Sequence, residues 1–172
     1  FDITLTPPKT ISTLWAVADR PLAATIRTVH DAAVTDALTY LEANVLFTRK
    51  GHAGVRHLPV RGLVAARFVH RDSRAGDPDL HTHVAVANKV QTEAGEWMAI
   101  DATVLYAAKV TLSEAYTASL IGRLRDLGLA PVPTGRDGKR PVYEIAGINP
   151  ALAQRWSTRR GQVVGRTGQL VS

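Results

Sequence analysis

From Leu22 to Val45 an apolar residue returns every three to four positions: Leu22, Ile26, Val29, Ala33, Ala37, Leu41 and Val45. Arg27, Asp31, Asp36 and Glu42 fall off that stripe. The period is one face of a long α-helix, and a stripe this continuous has to be covered by other structure. Pro21 is a good first-turn residue, so the helix is expected to open there and to lie on one face of a sheet.

The rest of the chain supplies the strands. Phe1 to Thr6 (FDITLT) alternates and is closed by Pro7-Pro8, which reads as a strand and a break. A short helix is expected from Thr10 or Ser12 to Asp19. Gly51 to Pro59 reads as loop or hairpin, Gly62 to Arg71 as a strand, and Leu80 to Val90 as another. Glu93-Ala94-Gly95-Glu96 is a turn before a short strand, Trp97 to Ile100. Asp101 is placed to cap a helix over Ala102 to Ala108. Leu112, Tyr116, Leu120, Leu124 and Leu127 have helical spacing, and Gly128 stops them. Asp137-Gly138 predicts a hairpin turn joining Val132 to Val142–Ile145, and Asn149-Pro150 opens a last helix. Strands separated by turns rather than by strict βαβ alternation predict an α+β fold with an antiparallel β-sheet.

At 172 residues the chain fits one ordinary domain, and it has no cysteine, which excludes disulfides, thiolate zinc sites, iron–sulfur clusters and cysteine nucleophiles together. No apolar run approaches the roughly 18 residues of a membrane span. A cytoplasmic location is expected. Residues 1–120 hold 12 basic and 12 acidic side chains, so the net charge of +6 resides wholly in the last 52 residues. Basic residues gathered in this way point either to a polyanion, most often nucleic acid, or to a solvated tail. Gly135–Lys139 resembles a phosphate loop but is too short for one, and Gly161–Gly168 has no lysine and no preceding strand.

The strongest chemical signal is His81-Thr82-His83. Residues two apart in a strand share a face, so both imidazoles project side by side while Thr82, Val84 and Val86 face the helix stripe. His70 ends the preceding strand. If the two strands pair across the loop Arg71 to Asp79, three imidazoles meet on one sheet surface, half of a metal shell with positions left for water or a substrate oxygen. The competing reading is a set of polar cross-strand pairs on an exposed face. Asp77 and Asp79 flank Pro78 and are expected as turn formers, and His30, His52 and His57 as surface or structural.

The stretch FVHRDSRAGDPDLHTHVAVANKVQ, followed by GEWMAIDATVLYAAK, closely resembles the relaxase domain of MobF-class conjugative relaxases, the TrwC type. The opening FDITLTPPKTISTLWAVAD is similar to that family's FDLTFSxPKS segment, and the likeness runs in order from residue 1 to roughly 160. It implies an HUH endonuclease fold, an antiparallel sheet with helices on one face and a three-histidine metal site on the other. It also implies the ligands His70, His81 and His83, and makes Asp2 the acidic residue that orients a histidine or helps deprotonate a tyrosine. The implied cofactor is a divalent ion (Mn, Mg, Zn or Ni); all-imidazole ligation favours Mn, Ni, Cu or Zn over Mg by softness.

The implied function is that of a DNA relaxase, nicking and transferring single-stranded origin-of-transfer DNA through a tyrosine–phosphate link, with relaxosome accessory proteins as further partners. Arg71, Arg74, Arg159 and Arg160 are the DNA contacts expected from location. Residues 1–160 form the expected relaxase domain and 161–172 a basic, polar tail. In the family the nucleophilic tyrosines precede the FDLT segment, so this chain is expected to bind metal and DNA without cutting. Tyr40, Tyr106, Tyr116 and Tyr143 are expected to pack. The alternatives are a non-catalytic single-stranded DNA-binding module that keeps the same fold and, further off, an unrelated metal-dependent hydrolase.

Overall fold

A computed structural model describes residues 1–135 and 141–158. The Asp137-Gly138 turn, the Gly135–Lys139 loop, Arg159, Arg160 and the tail 161–172 therefore lie outside the described residues, in whole or in part. The order of elements is β1 (Asp2–Leu5), α1 (Lys9–Val17), α2 (Arg20–Asn44), β2 (Phe47–Lys50), β3 (Arg56–Arg61), β4 (Ala65–Asp72) and β5 (Pro78–Val86). After them come β6 (Val90–Thr92), β7 (Trp97–Met98), α3 (Ala102–Ala107), α4 (Lys109–Asp126), β8 (Pro131–Thr134), β9 (Val142–Ile145) and α5 (Pro150–Arg155). Three sheets result, ordered β1-β5-β4, β2-β3-β6-β7 and β8-β9, and the pairs β1/β5, β2/β3, β3/β6, β6/β7 and β8/β9 are antiparallel. This is the α+β class that the sequence predicts.

The chain divides into two compact units. One comprises Phe1–Leu5, Asp31–Phe68 and Thr82–Leu120, the other Thr6–His30, Val69–His81 and Ile121 to the end of the described residues. In the first, Val34, Ala37, Leu41, Val84, Val90, Leu112, Tyr116 and Leu120 are buried. Glu42 accepts the N–H groups of Gly62 and Leu63 at 3.1 Å each, and Arg67 donates to Thr35 Oγ1 at 2.8 Å, which ties α2 to the β3–β4 region. In the second, Ile11, Ile26, Leu80, Ile121, Leu124 and Ile145 are buried. Hydroxyls on the buried side of α1 have named partners there. Ser12 Oγ accepts the N–H of Leu80, and Thr10 donates through N–H and Oγ1 to Glu144 while accepting the N–H of Ile145. These bonds account for Thr10 and Ser12 being buried on α1 at no penalty for unsatisfied polar groups.

Caps fall where the sequence places them. Asp101 Oδ1 accepts the N–H of Thr103 ahead of α3, Asn149 Oδ1 accepts that of Ala151 ahead of α5, and Gly128 closes α4 at φ +77°.

Four expectations are corrected. The strand expected over Leu80 to Val90 is two strands in different sheets: Ala87 donates to Val64 O and Asn88 Oδ1 accepts the N–H of Ile100, so the ladder breaks between Val86 and Val90. The strand expected from Gly62 begins at Ala65, because the amides of Gly62 and Leu63 are taken by Glu42. The stripe of α2 runs through His30 rather than Val29. His30 is fully buried between Ile26 and Ala33, while Val29 is half-buried. Finally, Tyr106 does not pack as a core residue, being 64% exposed.

Candidate metal centre

β5 explains why the histidines are held. Leu80, Thr82, Val84 and Val86 turn inward and are buried, while Asp79, His81, His83 and Ala85 occupy the opposite face. Burying the three apolar side chains contributes on the order of 5–9 kcal/mol. A slip of one residue would reverse both faces, so this burial fixes where the imidazoles point. Lys9 Nζ donates to Pro78 O at 2.8 Å, and the Ser12–Leu80 bond holds the same end of the strand. β4 is the neighbour of β5 in the sheet, reached through a tight turn in which Ser73 N–H donates to Asp77 O at 2.8 Å and Gly76 N–H to Ser73 O at 2.9 Å.

On that face His70, His81 and His83 each offer one ring nitrogen, all within 4.8 Å of one another. The rings of His70 and His81 meet edge to face with centroids 5.1 Å apart. His70 is exposed, His83 half-buried and His81 buried, so the cluster opens from a protected floor towards solvent.

The Nδ1 atom of two of these rings has a defined acceptor. His83 Nδ1 lies 3.0 Å from both carboxylate oxygens of Asp2 and 3.2 Å from Thr4 Oγ1. His81 Nδ1 lies 2.7 Å from the carbonyl oxygen of Asp79. Carboxylate and carbonyl oxygens only accept, so Nδ1 carries a hydrogen in both rings, and the neutral form of each has its lone pair on Nε2. That is the tautomer and the outer support that metal-ligating imidazoles use. Register places these partners: Thr4 stands opposite His83 and Asp2 opposite Ala85, which leaves Asp2 diagonal to His83 on the same face.

The other candidates sort cleanly. Asp2 reaches His83 directly. Arg71 is exposed on β4 and Arg74 is exposed in the following turn. Asp77 is not in the cluster; its carboxylate accepts the N–H and hydroxyl of Thr158 at 2.9 and 3.0 Å. His52 is exposed, and His57 Nδ1 lies 3.2 Å from Asp101 Oδ2. Thr4 and the Asp79 carbonyl were not legible beforehand, since both depend on register and backbone direction.

The four tyrosines lie on other elements than the three clustered histidines. None lies on β1, β4 or β5. Tyr106 meets Phe1 edge-on with centroids 6.0 Å apart and is 64% exposed beside the edge strand β1. Tyr116 is buried, and that burial pushes its phenol far above the usual range. Tyr40 and Tyr143 are half-buried.

Antiparallel sheets, a His-x-His strand, a third imidazole beside it and a carboxylate behind define an α+β chain with a three-histidine candidate metal centre. The sequence profile of the TrwC relaxase matches residues 1–171, and the chain belongs to the TrwC relaxase family. It is 29% identical over 183 residues to the multifunctional conjugation protein TraI of Escherichia coli, covering 100% of this chain and 10% of that protein. Among solved structures it is similar to the metal-bound conjugative relaxase TrwC in complex with oriT DNA, with a TM-score of 0.85, 30% identity, and coverage of 98% of this chain and 56% of that one. It is also similar to TrwC complexed with a 27-mer DNA comprising the recognition hairpin and the cleavage site, with a TM-score of 0.84, 30% identity, and coverage of 98% and 57%. The chain thus spans a tenth of the curated relative and little more than half of the solved ones.

Proposed function

We propose that this chain carries the metal-binding core of a conjugative DNA relaxase, with His70, His81 and His83 as the ligands of a divalent cation and single-stranded origin-of-transfer DNA as the substrate. The observation that carries the reading is the Nδ1 anchoring of His81 and His83 beside a third imidazole, with all three nitrogens within 4.8 Å. An uncharged all-nitrogen donor set fits a divalent transition ion. Such an ion, when bound, supplies positive charge to the non-bridging oxygens of a phosphodiester.

The chain's own residues position that chemistry. Asp2 accepts the Nδ1–H of His83 and holds the ring in its ligating tautomer; the Asp79 carbonyl does the same for His81. Arg71 and Arg74 stand exposed next to His70 in the chain and are assigned to the DNA backbone. The reaction is a transesterification. A tyrosine oxygen forms a bond to the scissile phosphorus, which stays attached to the 5′ oxygen. The bond from phosphorus to the 3′ oxygen breaks, and the proton lost by the phenol is balanced by the one the leaving 3′ oxygen takes up as it departs as a hydroxyl. Tyr116 is buried and held protonated, so it is not the attacking group.

The test is calorimetric titration of the metal-free chain with Mn²⁺ and Zn²⁺ beside the His81→Ala/His83→Ala double variant, followed by an assay for a covalent DNA adduct. One site that vanishes in the variant is expected, with an adduct that needs a tyrosine other than the buried Tyr116. Equal metal binding in both proteins would remove the three-histidine site. Metal and DNA binding with no adduct would leave a binding module in place of the enzyme.

A further inference from the structure

The four-stranded sheet β2-β3-β6-β7 has an outer face that the chemistry above leaves unused. Thr48, Val60, Val90 and Thr92 are buried, so the residues that alternate with them, Arg49, His57, Arg61, Gln91 and Trp97, share the opposite face. Arg61 stands directly opposite Gln91, and Gln91 directly opposite Trp97. Three adjacent strands thus set a guanidinium, an amide and an indole in one row, with neighbouring side chains about 5 Å apart.

Trp97 is 49% exposed, and Lys89 Nζ stands 4.8 Å from the centroid of its ring. Of the nearby carboxylates, Glu96 is paired with Lys50, which alternates with Arg49 and so belongs to the other face. Asp101 meets Arg49 and His57 at the β2 end of this face with its side chain fully buried, away from the Arg61–Gln91–Trp97 row. The indole thus keeps half of its surface in water beside the Lys89 ammonium, an aromatic surface on which a further planar group can stack. Base–aromatic stacking combined with phosphate contacts from Lys and Arg is how proteins hold unpaired nucleic acid.

We propose that this row is a platform for single-stranded DNA, in which Trp97 stacks one base while Arg61 and Lys89 hold flanking phosphates. The inference rests on the reading that DNA is the substrate and extends it to a second contact area, on a different sheet from the histidines. An unpaired strand is the occupant because a base inside a duplex has both faces covered by its neighbours, whereas the exposed indole offers one flat face and the surrounding charge is positive.

The test measures binding of a fluorescein-labelled, mixed-sequence single strand, and of its duplex, by anisotropy. The parent chain is compared with Trp97→Ala, Trp97→Phe and Arg61→Ala, each also titrated with Zn²⁺ as a check on folding. Trp97→Ala is expected to weaken single-strand binding about tenfold, the ~1.4 kcal/mol that one stacked base contributes, with zinc binding unchanged. Trp97→Phe should keep most of the affinity. Arg61→Ala should lower the log–log salt slope by about 0.7, one phosphate contact on a single strand. Parent-like single-strand binding by Trp97→Ala and Arg61→Ala overturns the platform and leaves the relaxase reading standing. Equal weakening on single strand and duplex overturns stacking. A parent chain that binds neither DNA nor zinc overturns the relaxase reading, and the platform with it.

Discussion

Replacing Asp2 should weaken metal binding without unfolding the chain, by an amount that follows from its place behind His83. Both carboxylate oxygens stand 3.0 Å from Nδ1, yet the side chain is 61% exposed. Loss of an outer carboxylate partner typically costs 10- to 100-fold in metal affinity, and solvent screening at this exposure selects the lower end. Asp2→Asn keeps an acceptor oxygen for the Nδ1–H and removes only the charge, so a loss of about threefold to tenfold is expected. Asp2→Ala removes the acceptor as well. Thr4 Oγ1, 3.2 Å from the same nitrogen, takes over part of the bond, and the loss should be about 10- to 30-fold. Adding Thr4→Val should then bring the loss to about 100-fold, more than the two single effects combined, because the two side chains serve one nitrogen. Titration calorimetry with Zn²⁺ on the parent, the two Asp2 variants, Thr4→Val alone and the double variant gives all five affinities, and thermal melts of the metal-free proteins should stay close together because Asp2 and Thr4 are exposed. Zinc affinity in Asp2→Ala equal to that of the parent would falsify the account of the carboxylate as the group that fixes the ligating tautomer.

Other consequences concern folding and pH. Leu80→Ala removes a fully buried side chain on the inward face of β5 and should cost about 2–5 kcal/mol in urea unfolding. Gly128→Ala places a Cβ at φ +77° and should cost about 1–2 kcal/mol, read as a lower melting temperature with metal binding intact. Asp101→Ala removes the cap of α3 and the carboxylate that faces Arg49 and His57, for a loss of about 1–3 kcal/mol by denaturant titration. Tyr116 is held protonated when folded and ionises freely when unfolded, so the unfolded state binds fewer protons above pH 10. Stability should fall as pH rises past that value, and the fall should be smaller in Tyr116→Phe, as followed by melts at increasing pH.

What the sequence made legible was whatever repeats at a short period. The 3.6 spacing along α2 and α4 and the two-residue alternation of His81 and His83 need only neighbours on the same element, and all three appear in the structure. Caps at Asp101, Gly128 and Asn149 are local chemistry and were equally readable. What escaped depends on contacts distant in sequence. Glu42 takes the amides of Gly62 and Leu63 from 20 and 21 residues away and so decides where β4 begins. Asn88 binds Ile100 and cuts an alternating run in two, although nothing in Leu80 to Val90 itself signals a break. The burial of His30 shows the same limit, since a polar residue one step from Val29 sits on the stripe whenever the helix turns slightly. For the candidate site, the histidines could be found from spacing and from family resemblance. The roles of Thr4 and the Asp79 carbonyl required the register of β1 against β5 and the direction of one peptide group.

The alternation of β5 also limits how the chain can change length. One inserted or deleted residue within Pro78–Val86 would turn His81 and His83 into the interior and push Leu80, Thr82, Val84 and Val86 out on the strand's far side, losing core and ligands in the same event. The turn Ser73–Asp77 is under no such parity rule, because each strand keeps its own faces whatever the length of the link between them. Among relatives, gaps should therefore collect in the turn, and any length change inside the strand should come in twos.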